Sequence, residues 1–385
     1  MKKLLFLCLL LCPVCAYSQN PKTLIREDEQ PSVIERIFGK RPFGSYINLE
    51  FASSANAYFT EGRFDEASFK MNRVRLEIYG RLNERLSYHF RQSFNKYSNP
   101  YSVDNMSSSI EYANIKWHVG DRFDLVAGKQ FLAVAGYEGY VNGLLVREFS
   151  DFNNNFEIYQ TGLMGVIRMS PTQHLMVQVT NNRNSSDSEM YLYGLPDGVE
   201  STRFPLLGTV NWNGWFADRS VHLMYSASAG QLAKGGNVYE KGPVLAYLDV
   251  LYSRSAIDSQ QRVTTLQGQS RGILPSTAQH TEYLTLIANV DYSFHPQWNA
   301  YIKGAYETAG VYEANGIFAK GRYLTSWNAQ ACVEWFPIKQ DKGFKVFAHF
   351  LYKGYELTDN AKALGAAMPH TQRISLGIQY IIPVL

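Results

Sequence analysis

Beyond residue 43 the chain alternates apolar and polar residues with period two, again and again. Val74, Leu76 and Ile78 are interleaved with Arg73, Arg75 and Glu77, and Leu86, Tyr88 and Phe90 with Ser87, His89 and Arg91. Successive side chains of a strand point to opposite faces, so this spacing predicts strands with one greasy and one charged face. The pattern returns at 47–51, 113–119, 123–127, 161–167, 175–179, 206–212, 221–227 and 244–252, then at 284–294, 300–306, 323–335, 344–350 and 374–380. Ordinary strands run about 5 to 6 residues. Several of these are longer, and a tilted strand needs roughly 9 to 11 to cross a bilayer.

The connections alternate as well. Short polar breaks at 82–85, 120–122, 171–172, 214–218, 295–297 and 337–342 take turns with linkers rich in Asn, Ser, Gly and Asp, such as 97–108, 181–200 and 231–242. Short turns on one side and longer loops on the other describe a bacterial outer-membrane barrel. Such barrels have even strand numbers, and the visible segments fall one short. "QQRVTTLQG", residues 260–268, is the expected missing strand. The fold class expected for residues 44–385 is therefore all-β: a transmembrane antiparallel β-barrel of about 16 strands, with short periplasmic turns and longer extracellular loops. On this reading the apolar faces meet lipid and cover no protein core.

Composition agrees with that picture. The chain carries 26 Tyr and 22 Phe, yet 18% of its residues are charged and its mean hydropathy is −0.24, as expected of amphipathic strands rather than an oily interior. A formal charge of +3, with Lys2 and Lys3 contributing two, leaves no nucleic-acid footprint. The opening "MKKLLFLCLLLCPVCAYSQ" has a basic start, an apolar run from Leu4 to Val14, and small residues at Ala16 and Ser18. It reads as a signal peptide for export over 1–18, and with the barrel pattern the expected location is the bacterial outer membrane. Residues 19–43 lack the alternation and are expected to form a periplasmic N-terminal segment. Cys8, Cys12 and Cys15 leave with the signal, so Cys332 alone remains. That excludes an internal disulfide framework and a cysteine metal site, and no cofactor or metal is expected.

The first half of the chain resembles the phosphate-selective porin O and P family. The likeness is carried by "FKMNRVRLEIYGRLNERLSYHFRQSF" (69–94), "EYANIKWHVGDRFDLVAGKQF" (111–131) and "TGLMGVIRM" (161–169), with the strand-and-turn pattern extending it over most of 44–385. The resemblance implies a roughly 16-stranded, homotrimeric channel for small anions. It also implies a constriction formed by the third outer loop, here about Val134 to Asn155. That loop offers Arg147 against Glu138, Glu148 and Asp151. Relatives selective for phosphate place lysines there, so phosphate selectivity is not carried over.

Strand parity assigns the lumen face. One arc receives Arg73, Arg75, Arg91, Lys116, Lys345, Lys353 and Arg373, with Glu50, Glu77 and Asp124 as its acids. The facing strands contribute Asp249, Asp291, Glu307 and Glu334, with Arg168 and Lys303 as exceptions. A basic wall opposite an acidic one sets up a transverse field at a constriction. The expected function is passive diffusion of small hydrophilic solutes with a modest preference for anions, phosphate among the candidates. Expected partners are outer-membrane lipids, the barrel-assembly machinery and small anionic or polar solutes. A structural or adhesin-like barrel is the alternative, and an outer-membrane enzyme a further one. Histidines 89, 118, 174, 222 and 349 fall on lumen parity, but no G-x-S-x-G, H-E-x-x-H or P-loop spacing is present, so no catalysis is expected.

Overall fold

The computed structural model describes residues 44–96, 103–141, 143, 145–229, 232–268 and 274–385; the expected signal peptide and N-terminal segment lie outside these. Among the described residues sixteen strands form a closed antiparallel barrel. They are β1 (Ser45–Thr60), β2 (Arg63–Arg81), β3 (Leu86–Ser93), β4 (Ile110–Gly120), β5 (Phe123–Phe131), β6 (Tyr159–Ser170), β7 (Gln173–Asn181) and β8 (Leu206–Phe216). The circuit continues through β9 (Val221–Ser228), β10 (Leu232–Lys241), β11 (Val244–Ile257), β12 (Gln279–His295), β13 (Trp298–Val311), β14 (Gly321–Trp335), β15 (Phe344–Leu357) and β16 (Thr371–Pro383). Pairing of β1 with β16 closes the ring, so no strand edge is left for hydrocarbon to meet.

The two faces sort as the alternation predicts. Leu163, Val177, Val210, Leu248, Leu286, Ile302 and Leu376 are exposed on the outside, while Gln178, Thr209, Asp249, Thr285, Lys303 and Ser375 are buried within. Trp117, Phe123, Phe216, Phe294, Trp298 and Trp335 ring the short-turn end and face outward, an aromatic girdle at the membrane interface. One outer connection, Glu61–Gly62, is as tight as the periplasmic turns.

The sixteenth strand is not the expected one. Residues 260–268 contain a short 3-10 turn at Thr264–Leu266 and fold inward, Asp258 accepting the backbone N–H groups of Val263 and Thr264. The missing strand is β10, in the stretch 231–242 expected to be a loop. Its pattern is hidden because Val238 faces the lumen while Asn237 and Gly235 face outward, and Gly235 and Gly236 carry no side chain to mark a face. Gly236 has a structural use. A Cβ there would lie 2.7 Å from Asp249 Oδ1 and 3.0 Å from Gly136 Cα, so its absence lets the third outer loop lie against the wall.

The barrel also contains a core, contrary to expectation. Leu132, Val134 and Phe152 of the third loop pack on lumen-facing Met224, Leu251, Ile287 and Ala305, joined by Val263 and Leu266 of the 258–278 loop and Ala361 and Leu364 beyond β15. Parity locates lumen residues but does not say which of them a folded-in loop will cover. The core lies against β9–β14.

The topology predicts a labelling pattern. In a Cys332→Ser background, cysteines replacing Asn105 or Asp197 should react with an impermeant maleimide on intact cells. Those replacing Asn83 or Lys339, in periplasmic turns, should react only after lysis. Labelling of Asn83→Cys from outside would invert the barrel.

Candidate channel constriction

The third loop, residues 132–158, carries two one-turn helices, α1 (Tyr137–Tyr140) and α2 (Asp151–Asn154). First-turn N–H groups have no partner within a helix, and here the wall supplies them. Asp249 of β11 accepts the N–H groups of Tyr137 and Glu138 at 2.8 Å each. Glu307 of β13 accepts those of Asp151 at 2.8 Å and Phe152 at 3.0 Å. Two carboxylates expected to present an acidic wall to water therefore grip the loop instead. Asp291 accepts from Asn299 Nδ2 at 3.1 Å, and Glu334 pairs with both Lys345 at 2.7 Å and Arg147 at 2.8 Å.

The loop's own acids are also engaged. Glu138 is fully buried, 2.6 Å from Lys303 Nζ, and accepts from Ser150 Oγ at 2.7 Å and Asn153 Nδ2 at 2.6 Å. Glu148 binds Lys353 at 2.8 Å and Arg373 at 2.9 Å. Asp151 meets Lys353 at 3.3 Å and Arg262 at 3.6 Å. A buried carboxylate costs free energy unless such partners offset its lost hydration.

These pairs give the loop a pH dependence. Burial alone would raise the Glu138 carboxyl, but Lys303, Ser150 and Asn153 outweigh it and hold the group below its ordinary value of 4.5. Glu148 is likewise depressed: burial raises it, and Lys353 and Arg373 more than reverse that. Carboxyls depressed by docking stabilise the docked loop above their ordinary pKa and lose that contribution as pH falls through the depressed value. Single-channel conductance should become noisy or rise as pH falls below about 4.5. Unchanged conductance through that range would contradict the assignment of Glu138 and Glu148 as loop anchors.

On the basic arc the wall divides. Arg75 lies 2.5 Å from Glu50 and 3.3 Å from Glu111, and is 1% exposed. Arg91 is held by Glu111 at 2.8 Å and Glu77 at 3.4 Å, with its guanidinium 4.4 Å from the Tyr112 ring centroid. Glu111 escaped the parity reading. Arg91 pairs with Tyr112 and Gln92 with Ile110, so Glu111 is an extra residue at a β-bulge, and it points inward beside Tyr112 rather than to lipid. Lys116 is half-buried near the periplasmic rim, with no ion pair recorded for it among the described residues.

A second bulge shapes the space between the third loop and β2. In β2, Arg73 pairs with Ala52 and Met71 with Ser53, which leaves Asn72 extra. Asn72 and Arg73 then both line the lumen: Asn72 bonds Ser54, and Arg73 Nη2 donates to Gly143 O of the third loop at 3.1 Å. The same bulge turns Lys70 inward, where unbroken alternation from Arg73 and Arg75 would put it on the lipid face. Two neighbouring spaces of about 150 and 170 Å³, which share Asn72 and Arg147 in their linings, remain between loop and wall. Their charged lining is Lys70, Arg73, Arg147 and Arg373 against Glu148. Arg147 stacks 3.8 Å from the Phe347 ring centroid and also bonds Gln379. Among the described residues no cluster of His, Cys, Asp and Glu fit to hold a metal is present.

Comparisons with known proteins agree with this architecture. Residues 47–382 match the family described as phosphate-selective porin O and P. No curated protein matches the sequence significantly. Among solved structures, the outer-membrane channel DcaP of Acinetobacter baumannii is similar at TM-score 0.57 and 12% identity, over 89% of this chain and 99% of that one. An anion-selective porin from Comamonas acidovorans superposes at 0.52 with 8% identity, over 88% and 99%. The trimer form of OmpT from Vibrio cholerae does so at 0.50 with 10% identity, over 88% and 100%. At these identities the likeness is one of fold.

Proposed function

Because the chain belongs to the phosphate-selective porin O and P family and is an outer-membrane porin, we propose that it passes small hydrophilic solutes with a modest preference for anions, phosphate among them. The observation that carries this is the lining of the constriction, where four cations face one carboxylate. Charged rings at a constriction select by sign. The preference is modest because Glu148 and Glu334 answer Arg373 and Arg147 directly. Arg73 and Lys70 act without an ion pair recorded for them among the described residues. Passage needs no bond made or broken, so transport itself is not catalysis. The reading takes a homotrimer as the assembly, by analogy with the solved trimer form of the Vibrio cholerae neighbour.

Proteoliposome swelling tests it. Gluconate should enter several-fold faster than a cation of matched size such as N-methylglucamine, with a neutral sugar of similar size between them. Equal rates for all three, or fastest entry of the cation, would sink the anion reading.

A further inference from the structure

At the periplasmic rim three consecutive strands place a serine, a histidine and an aspartate in one hydrogen-bonded line. Ser87 stands at the start of β3, His118 near the end of β4 and Asp124 at the start of β5. Ser87 Oγ lies 2.8 Å from His118 Nε2, and His118 Nδ1 lies 2.9 Å from Asp124 Oδ1. We propose that this line is a catalytic triad, and that the rim of the barrel carries a serine-dependent acyl-transfer site that hydrolyses small esters.

The proton positions follow from chemistry. Asp124 is 3% exposed and also bound by Arg168, whose Nη2 lies 2.9 Å from Oδ1, so it is ionised and only accepts. His118 Nδ1 must then be the donor, which leaves Nε2 to accept the Ser87 hydroxyl proton. This is the tautomer a general base needs. Ser87 is half-buried and the His118 side chain is 19% exposed, so water and small solutes reach both. All three project from lumen-facing positions, where a solute leaving the channel passes.

The pairing register supplies an electrophile. Ser87 is the direct cross-strand partner of Lys116, and side chains so paired begin about 4.5 to 5.5 Å apart. Lys116 has no ion pair recorded for it among the described residues, so its ammonium is available to meet an oxyanion forming on the substrate carbonyl. No loop motif announces such a site, because its members are brought together by strand register rather than by spacing.

The reaction balances with water as the sole co-reactant. Ser87 Oγ bonds to the ester carbonyl carbon as its proton passes to His118 Nε2. The ester C–O bond then breaks, and the departing alkoxide takes that proton from His118. Water, deprotonated by His118, forms the next C–O bond; the Ser87–acyl bond then breaks to release a carboxylic acid, and the departing Ser87 Oγ takes the proton back from His118. Ser87 and His118 are the catalytic residues; Asp124 positions the imidazole.

The test uses the purified, detergent-solubilised barrel with a fluorophosphonate probe and p-nitrophenyl acetate, mapping adducts by mass spectrometry. A phosphonyl adduct should form on Ser87 and be absent in Ser87→Ala. In His118→Gln labelling and ester hydrolysis should fall by about 10²-fold or more. Asp124→Asn should lower both, and Asp124→Glu should restore them in part. Lys116→Gln should slow hydrolysis while leaving a folded barrel. Resistance of each variant to unfolding in cold SDS separates loss of chemistry from loss of fold. A folded barrel with no adduct on Ser87, or with one that forms equally fast in His118→Gln, would overturn the proposal.

Discussion

Lys303→Met is expected to release the third loop and raise single-channel conductance while leaving the barrel assembled. Lys303 Nζ lies 2.6 Å from Glu138 Oε1 and also donates to the backbone oxygen of Glu148, so one side chain holds both limbs of the loop. Removing it leaves the fully buried Glu138 carboxylate without its cation. Breaking a buried pair from one side costs about 3 to 5 kcal/mol, more than one part-buried hydrogen bond such as Arg73 on Gly143 O returns, about 1.5 to 3 kcal/mol for a charged donor. The wall needs no such pair to close, because its strands are held by their own ladders. Replacing both members, Lys303→Met with Glu138→Leu, removes the uncompensated charge and should restore much of the parental conductance. Proteolysis of the loop in the single variant and protection in the double variant would report the same event. Parental conductance and protection in Lys303→Met would mean that the loop is docked by its apolar contacts alone.

Local rules reached the barrel but not its contents. Period-two alternation and even strand number were legible from Val74, Leu76 and Ile78 onward, because lipid on one side and water on the other impose them residue by residue. β10 was not legible, since its glycines and the inward Val238 erase the contrast that alternation depends on. Residues 260–268 looked extended through Val263, yet Asp258 and the lumen core fold them into a plug. The inward placement of Lys70, Asn72 and Glu111 rests on bulges, where one added residue reverses every later assignment on that strand. Charge sign was readable and charge use was not. Asp249 and Glu307 read as an acidic wall, and only the folded-in helix termini reveal them as clamps. The Ser87–His118–Asp124 line depends on register between three strands, which no single stretch of sequence encodes.

The second large effect concerns ion preference. Lys70 and Arg73 line the proposed constriction and carry no ion pair recorded for them among the described residues, so replacing both with Gln removes charge without stranding an acid known to depend on them. A unit charge about 4 Å from a passing ion contributes about 1 kcal/mol in a water-like dielectric, which corresponds to roughly fivefold in relative permeability for each charge lost. Arg75 and Arg91 sit in closed networks with Glu50, Glu77 and Glu111, and their substitution should damage assembly more than selectivity. The most direct measurement is the zero-current potential of the purified porin across a tenfold KCl gradient at low salt, where screening is least. The parental channel should reverse on the chloride side of zero, and Lys70→Gln/Arg73→Gln should move it toward potassium with conductance largely retained. A parental potential on the potassium side, or one that the double variant leaves unchanged, would contradict a basic constriction between the third loop and β2.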